Sequence, residues 1–179
     1  VKAPEGSILN PRYPAPVRAR LLASYRAFNA VMKALSTAAP TRVIATGTDT
    51  TTACCLSWLG PNGYDIYLEI FGGGYGAGPE NDGADGVDSP LSNCGNIPIE
   101  ATDMDHVFFR CIDYSYIAGS GGKGRMRGGL GFRKVYEILE DNVTFATYGD
   151  RFTQQADGLF GGGQGAPGQN QVLRGEEVI

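Results

Sequence analysis

Apolar side chains recur every three or four positions near the start of the chain and predict one long amphipathic helix. The recurring positions are Val17, Leu21, Leu22, Tyr25, Phe28, Val31, Met32 and Leu35. Basic residues fall mostly between them, as on the solvent side of a surface helix. Proline suits a first helical turn, so Pro16 marks the start, and Pro40 ends the pattern. We therefore predict a helix over residues 16–38, after an extended, proline-rich arm over residues 1–15.

Beyond residue 43 the helical period gives way to short alternating runs that predict strands. Apolar and polar side chains alternate over residues 64–70, which is the period of a strand. Similar runs occupy residues 107–116, 132–139, 143–148 and, more briefly, 172–173. One long amphipathic helix followed by a β-rich, glycine-rich body over residues 43–179 predicts an α+β fold.

Glycine and charge content both indicate that this chain forms part of a larger subunit. There are 27 glycines among 179 residues, mostly after residue 71, and only 19 % of the residues are charged, where about 25 % is usual. A body with so few charges is expected to hide much of its surface against other polypeptide. The chain begins with Val1 rather than Met, which we interpret as a fragment or a processed product.

The charge pattern and the apolar runs argue against two broad classes of protein. The formal net charge is −4, and no stripe of Lys and Arg interleaves with aromatic residues, unlike in nucleic-acid-binding proteins. No apolar run approaches the roughly 20 residues that cross a bilayer, and the N-terminus lacks the apolar stretch of a secretory signal. We therefore expect a cytoplasmic protein that binds neither nucleic acid nor membrane.

The glycine clusters leave two interpretations open. Successive backbone N–H groups in glycine-rich turns cradle anions, and Lys123, Arg125 and Arg127 would neutralise a phosphate. The spacing fits neither a Walker loop nor a dinucleotide fingerprint, because no cluster opens a helix. The alternative, which the pattern favours, is that the glycines provide tight turns and close backbone packing.

The cysteines and the histidine give little indication of a metal site or a catalytic nucleophile. Cys54, Cys55, Cys94 and Cys111 show no zinc-type spacing and fit reduced, mostly buried thiols. His106, the only histidine, could be a base or a metal ligand among its carboxylate neighbours, although a surface or interface position is more typical.

Two polar segments are candidates for contact with a small molecule. Residues 80–88 are rich in Asp, but they lack the final Glu and the flanking helices of an EF-hand. A solvated or substrate-edge loop is the better interpretation. Asn93 and Asn96 follow, and amides at this spacing either pin an irregular loop or orient a small polar substrate.

Several segments, in order along the chain, resemble those of one protein family. They read APEGSILNPRYPAPV at residues 3–17, GGGYGAG at 72–78, DGADGV at 82–87, NIPIE at 96–100, GSGGKGRMRGG at 119–129 and GLFGGGQGAPG at 158–168. These segments resemble the hydantoinase B/oxoprolinase family. The resemblance covers essentially the whole chain and corresponds to the C-terminal portion of the longer B-type subunits of that family.

The resemblance implies a reaction shared between two kinds of subunit. An A-type subunit of actin-like ATPase fold binds ATP and phosphorylates a carbonyl oxygen. The B-type subunit then opens a cyclic amide such as hydantoin, 5-oxoproline or a lactam, or, in ketone carboxylases, handles carbon dioxide chemistry on acetone or an aryl ketone. A divalent metal is held by His and Asp residues outside this segment. A hetero-oligomer is therefore expected.

Within this chain the resemblance and the chemistry nominate substrate-binding residues but no catalytic residue and no metal ligand. O-phosphorylation turns an amide oxygen into a leaving group, and Arg side chains stabilise the developing anion. We assign that electrostatic role to Arg125 and Arg127, and orientation of the substrate to Asn93 and Asn96. Asp88 is also assigned to substrate binding, because it stands where hydantoinase-type members of the family have a histidine.

One departure from the family pattern bears on the substrate. Where hydantoinase-type members commonly read GVHTHMTN, residues 86–93 read GVDSPLSN, so Asp88 and Pro90 replace both histidines. The change weakens the case for hydantoin or 5-oxoproline as the substrate. Three hypotheses remain: a portion of an ATP-dependent cyclic amidohydrolase, which leads, a portion of a ketone carboxylase, and a non-catalytic structural portion of such a complex.

Overall fold

The computed structural model describes residues 2–17, 20–88, 91–92, 94–175 and 177–178. Its helices are α1 (Leu21–Leu35), a 3-10 turn (Pro40–Arg42) and α2 (Ile99–Asp105). Its strands are β1 (Thr52–Gly60), β2 (Gly63–Phe71), β3 (Phe109–Tyr116), β4 (Phe132–Ile138), β5 (Thr144–Tyr148), β6 (Leu173–Arg174) and β7 (Glu177–Val178). The fold is a mixture of helix and antiparallel sheet, as an α+β prediction requires.

The predicted helix exists but is shorter than residues 16–38. Helix α1 has 15 residues, and its last turn closes when the N–H groups of Ala38 and Ala39 bond back to the carbonyl of Leu35. Pro16 lies before the helix rather than in its first turn. Residues 2–15 contain no helix, as predicted. No helix within the described residues is long and apolar enough to cross a bilayer.

A second, seven-residue helix was not predicted, because one or two turns show no readable period. Helix α2 follows Pro98, and its Thr102 is buried. Proline is compatible with the position before a helix because it lacks an N–H that would need a partner. Helix α2 leads into β3, with which it packs.

The strands form antiparallel sheets. Strands β2, β1 and β5 lie side by side in that order, β3 pairs with β4, and β6 pairs with β7. Four predicted strands correspond to β2, β3, β4 and β5, and the short run at residues 172–173 overlaps β6. Strand β1 was missed, because its run of small and apolar residues, TACCLSWLG, lacks clean alternation.

An alternating strand usually buries its apolar face, but in β2 the opposite face is buried. Tyr67 and Glu69 are 3 % and 1 % exposed and point into the core with Phe108 and Phe109. The outer face of β2, formed by Tyr64, Ile66 and Leu68, is more than half exposed. An apolar face turned outward on a strand is unusual for a self-contained domain.

Candidate functional site

Extended, glycine-rich segments pair through their backbones into what we call the glycine layer: residues 45–48, 72–77, 83–87 and 127–131. The Thr48 amide donates to Gly74, and the Tyr75 amide donates to Ala84, at 2.9 Å each. The amide of Gly83 donates to the Arg127 carbonyl at 2.8 Å. The family-like glycine motifs therefore meet in space, although they are far apart in sequence.

Glycine is required in this layer because the segments lie too close for side chains. A Cβ on Gly74 would collide with the carbonyl of Gly129, and a Cβ on Gly129 would collide with the carbonyl of Ala84. Many of the N–H groups that might cradle an anion, such as those of Gly73 and Gly86, donate to backbone carbonyls instead. The packing interpretation of these glycines thus has direct structural support.

Arg125 and Arg127 lie at an exposed edge of the glycine layer and already have partners. The Arg127 guanidinium makes a two-point ion pair with Asp85, at 2.7 and 3.1 Å, and lies 3.6 Å from Asp82. This hydrogen bonding lowers the pKa of Asp85. Arg125 donates to the carbonyl of Pro79. Both arginines hold the edge of the layer in place, and their electrostatic role toward a substrate remains a prediction.

Asn96 and Asp88 lie beside the glycine layer and contact it at Gly72. The Asn96 side chain donates to the Gly86 carbonyl at 3.2 Å and accepts from the Gly72 amide at 3.4 Å. The α-carbon of Gly72 packs against the backbone of Asp88. Asn93, the other predicted amide, lies outside the described residues. The structure thus places Asn96 and Asp88 beside Gly72, and Asn96 also bonds Gly86, the chain neighbour of the Asp85 that pairs with Arg127.

A buried ion pair, which sequence reasoning missed, fixes the segment that carries Asn96. The Lys134 ammonium lies 2.6 and 2.9 Å from the two Glu69 carboxylate oxygens, with side-chain exposures of 2 % and 0 %. Glu69 also accepts from the Ile97 amide, and Lys134 donates to the Ile97 carbonyl, both at 2.8 Å. Because both the amide and the carbonyl of Ile97 are hydrogen-bonded to this ion pair, the neighbouring Asn96 is held in a defined position.

Two tyrosines complete the surroundings of this carboxylate. The hydroxyls of Tyr67 and Tyr136 both donate to Glu69. Burial raises the pKa of each phenol, and the nearby Glu69 charge raises it further. The phenols therefore stay protonated and act as fixed donors. Nothing in the alternating pattern of β2 distinguishes Glu69 from a solvent-facing glutamate, which is why the sequence did not reveal this network.

A second buried acid, Asp49, lies in the loop between the glycine layer and β1. Asp49 is 3 % exposed, and its carboxylate accepts from the Gly47 amide at 2.7 Å. Burial raises its pKa, against the opposing effects of Arg151 and Arg26. Arg26 donates to the Asp49 carbonyl, and Arg151 donates to the Thr48 carbonyl at 3.2 Å. No sequence motif pointed to this loop.

His106 is mostly buried, so of the two positions that its sequence context suggested, surface or interface, the open surface is wrong. Its side chain is 15 % exposed, and its Nδ1 lies 2.8 Å from the Asp65 carboxylate. The ring stacks on Phe109, with centroids 5.3 Å apart. Among the residues that the structure describes, no group of three His, Cys, Asp or Glu side chains is placed to hold a metal ion.

The cysteines divide between interior and surface. Cys54 and Cys111 are buried, Cys55 is half-buried and Cys94 is exposed. Burial, with the Glu69 charge, raises the pKa of the Cys54 thiol to about 12. Cys54 is therefore a packing residue of the core rather than a nucleophile.

Comparison with known proteins places the chain in a family. The family model described as hydantoinase B/oxoprolinase matches residues 1–179. An uncharacterized protein of Methanocaldococcus jannaschii is 35 % identical over 99 % of this chain and 31 % of its own length. The B-type subunit of a "putative D-/L-hydantoinase" from a Pseudomonas species is 31 % identical over 88 % of this chain and 25 % of its own length.

A third relative is much longer still. The 5-oxoprolinase of Dictyostelium discoideum is 30 % identical over 96 % of this chain, which corresponds to 13 % of its own length. The chain belongs to the hydantoinase B/oxoprolinase family. It spans less than a third of the length of each of these relatives.

Proposed function

We propose that this chain is the C-terminal portion of a B-type subunit in an ATP-dependent amidohydrolase that opens a cyclic amide. Its family membership over residues 1–179 is the observation that carries the proposal. The names of two relatives, one a hydantoinase and the other a 5-oxoprolinase, supply the substrate class, since hydantoin and 5-oxoproline both contain a cyclic amide.

In the proposed reaction the nucleotide chemistry belongs to a partner. An A-type subunit of ATPase fold binds ATP and transfers its terminal phosphoryl group to the amide oxygen, releasing ADP. Water then attacks the activated carbon and the ring C–N bond breaks, which leaves an amine and an acyl phosphate. A second water cleaves the acyl phosphate to a carboxylate and inorganic phosphate. A divalent metal would be held by residues outside this segment and would supply Lewis-acid chemistry there. This chain contributes a rigid wall to the site, with Asn96 and Asp88 as candidate contacts of the substrate.

The outer face of β2 supports a hetero-oligomer. Tyr64, Ile66 and Leu68 form a contiguous apolar strip on one strand, with Leu59 exposed across from Tyr64. Apolar patches of this kind are commonly covered by other polypeptide. We propose that this face contacts the rest of the B-type subunit or its A-type partner, consistent with the low charge content of the chain.

A second candidate function is favoured by Asp88 and Pro90, which replace the two histidines of the hydantoinase-type motif. If those histidines serve hydrolysis of the cyclic amide, their replacement points to a sister reaction. In a ketone carboxylase, the same partner would phosphorylate the enol oxygen of acetone or an aryl ketone. The α-carbon of this enol phosphate would then attack carbon dioxide as the phosphoryl group passes to water, giving a β-keto acid and inorganic phosphate.

The two reactions are separated by an assay of the assembled complex. The full-length B-type polypeptide, produced together with its A-type partner, is expected to open a cyclic amide at a rate that requires ATP. Incorporation of labelled bicarbonate into a ketone, with no ring opening, would instead establish the carboxylase. ATP hydrolysis by this chain alone would contradict both assignments.

The same complex tests whether Arg127 acts on the reaction or only on the fold. If its guanidinium stabilises the developing anion, Arg127→Ala should lower kcat by about 100-fold. Arg133→Ala is the matched control, because Arg133 makes a similar exposed ion pair with Asp113 at 2.6 Å. Weaker assembly with unchanged turnover per complex would show that this chain is a structural portion.

A further inference from the structure

Phe160 lies at the tip of a tight turn in the segment GLFGGGQGAPG, which the proposed function does not use. The Gly162 amide donates to the Leu159 carbonyl at 2.9 Å and closes the turn. The two central residues, Phe160 and Gly161, both have positive φ, +53° and +84°. Positive φ at both central positions is characteristic of a type I′ turn. We call residues 159–162 the Phe160 turn.

Phenylalanine fits this backbone poorly. In the left-handed region the Cβ of a side chain crowds the following carbonyl oxygen, so Gly, Asn and Asp are the residues usually found there. The loop between β4 and β5 follows this preference, since its left-handed residue is Asn142, with φ of +60°. Phe160 therefore destabilises its turn relative to an asparagine, unless its ring makes a contact that compensates.

The ring of Phe160 projects into solvent in this chain. Phe160 is 70 % exposed, whereas Phe108 and Phe109 in the core are 0 % and 1 % exposed. A phenylalanine side chain offers roughly 150–250 Å² of surface for burial, and most of it is left uncovered by the described residues. A contact that compensates for the turn has to come from other polypeptide.

The Phe160 turn is fixed at its base. The Gly163 amide donates to the Lys123 carbonyl at 2.7 Å, and the Ala166 amide donates to the Ser120 carbonyl at 2.8 Å. These bonds join the turn to another glycine-rich loop, so the fold sets the position of the ring. A pre-positioned aromatic side chain loses little conformational entropy on binding, and such residues supply much of the energy of an interface.

The size of the contact favours another part of the same polypeptide over a separate protein. A stable complex between separate proteins buries about 800 Å² on each partner, several times what one ring offers. A segment of the same polypeptide needs no such area, because covalent connection removes most of the entropy cost of association. Two relatives contain ample additional chain, since the match covers 31 % and 25 % of their lengths.

We propose that Phe160 is an anchor that inserts into an apolar pocket formed by the part of the full-length B-type subunit outside residues 1–179. The rigid turn presents the ring, and burial of the ring compensates for the left-handed backbone. The contact holds the two parts of the subunit in a fixed orientation. The proposal rests on the subunit assignment of the proposed function but not on the reaction.

Photo-crosslinking of the assembled complex identifies what covers the ring. The full-length B-type subunit is produced with p-benzoylphenylalanine in place of Phe160, together with its A-type partner. Under ultraviolet light this analogue bonds to C–H groups within reach, and mass spectrometry maps the joined peptides. We expect crosslinks to the same polypeptide at positions outside residues 1–179. Crosslinks only within residues 1–179, only to the A-type partner or only to a second copy would overturn the proposal, and so would the absence of any crosslink.

Replacement of Phe160 by asparagine gives an independent test, because a free ring and a buried ring predict opposite results. Asparagine suits the left-handed backbone, so Phe160→Asn should raise the unfolding temperature of the full-length subunit if the ring is free. We expect it instead to lower that temperature by about 3 °C or more, because a buried aromatic side chain is lost. Phe160→Leu, which keeps an apolar side chain, should lower it less. Calorimetry measures both shifts, and an unchanged or raised temperature for Phe160→Asn would refute the anchor.

Asn142→Phe is the matched control, since it makes the reverse substitution at an exposed position with a similar φ. It should lower the unfolding temperature by about 1 °C or more, because phenylalanine strains a left-handed backbone. Neither measurement uses ATP or substrate. An inactive complex that gives the expected crosslinks would therefore refute the proposed function and leave this contact standing.

Discussion

Replacement of Lys134 by methionine is expected to lower the free energy of unfolding by about 3–5 kcal/mol, because it leaves a buried carboxylate without its counter-ion. Glu69 is fully buried, and Lys134 is its one cationic partner among the described residues. Methionine preserves most of the length of the side chain, so loss of packing contributes little. Urea unfolding of the full-length subunit, followed by circular dichroism, measures the change.

Two further variants identify the cause of that loss. Combining Lys134→Met with Glu69→Gln removes the isolated charge, so the double variant should be more stable than Lys134→Met alone. Lys123→Met makes the same substitution at an exposed position and should change stability by less than about 0.5 kcal/mol. A loss below about 1 kcal/mol for Lys134→Met would mean that water reaches Glu69.

Gly129→Ala is expected to lower the free energy of unfolding by about 3 kcal/mol or more. The position of a Cβ is fixed by the backbone, so the collision with neighbouring backbone atoms cannot be relieved by a change of rotamer. The added Cβ would collide with the Ala84 carbonyl oxygen, and it would lie 2.8 Å from the Tyr75 amide nitrogen. All three segments would have to move apart, breaking the bonds that join them. Thermal and urea unfolding both report the loss.

Gly131→Ala is the matched control for that prediction. It lies two residues further along the same segment, and its Cβ would meet only the Ser120 hydroxyl, at an ordinary 3.7 Å. Its stability should therefore stay within about 0.5 kcal/mol of the unaltered protein. Equal losses for the two alanine variants would show that chain entropy, rather than close packing, explains the glycines.

The sequence predicted the positions of the strands better than it predicted which of their faces is buried. Periodicity correctly located β2, β3, β4 and β5, because an alternation of two survives whichever face is buried. It could not tell that the face of β2 with Tyr67 and Glu69 is the inner one. That choice depends on Lys134, which lies 65 residues away in the chain and neutralises Glu69 inside the core. Long-range pairing of charges leaves no local signal.

The candidate site, too, was predicted only in part from the sequence. The motifs rightly predicted close glycine packing, and they singled out Asn96, which the structure places across Gly72 and Gly86. The contacts of Arg127 with Asp82 and Asp85 bring together two motifs that are separate in the sequence. The buried Asp49, with Arg26 and Arg151 beside it, was not foreseen, because these residues come from a loop, a helix and a distant segment and share no spacing.

The outward face of β2 has a practical consequence for anyone who produces this polypeptide by itself. In the sheet that the structure describes, β2 is also the outermost strand, so a row of unpaired backbone groups adjoins the strip of Tyr64, Ile66 and Leu68. A bare apolar edge is a template for pairing with another molecule. Expressed without the polypeptide that normally covers that strand, the chain is expected to aggregate. Ile66→Lys is expected to increase the soluble fraction.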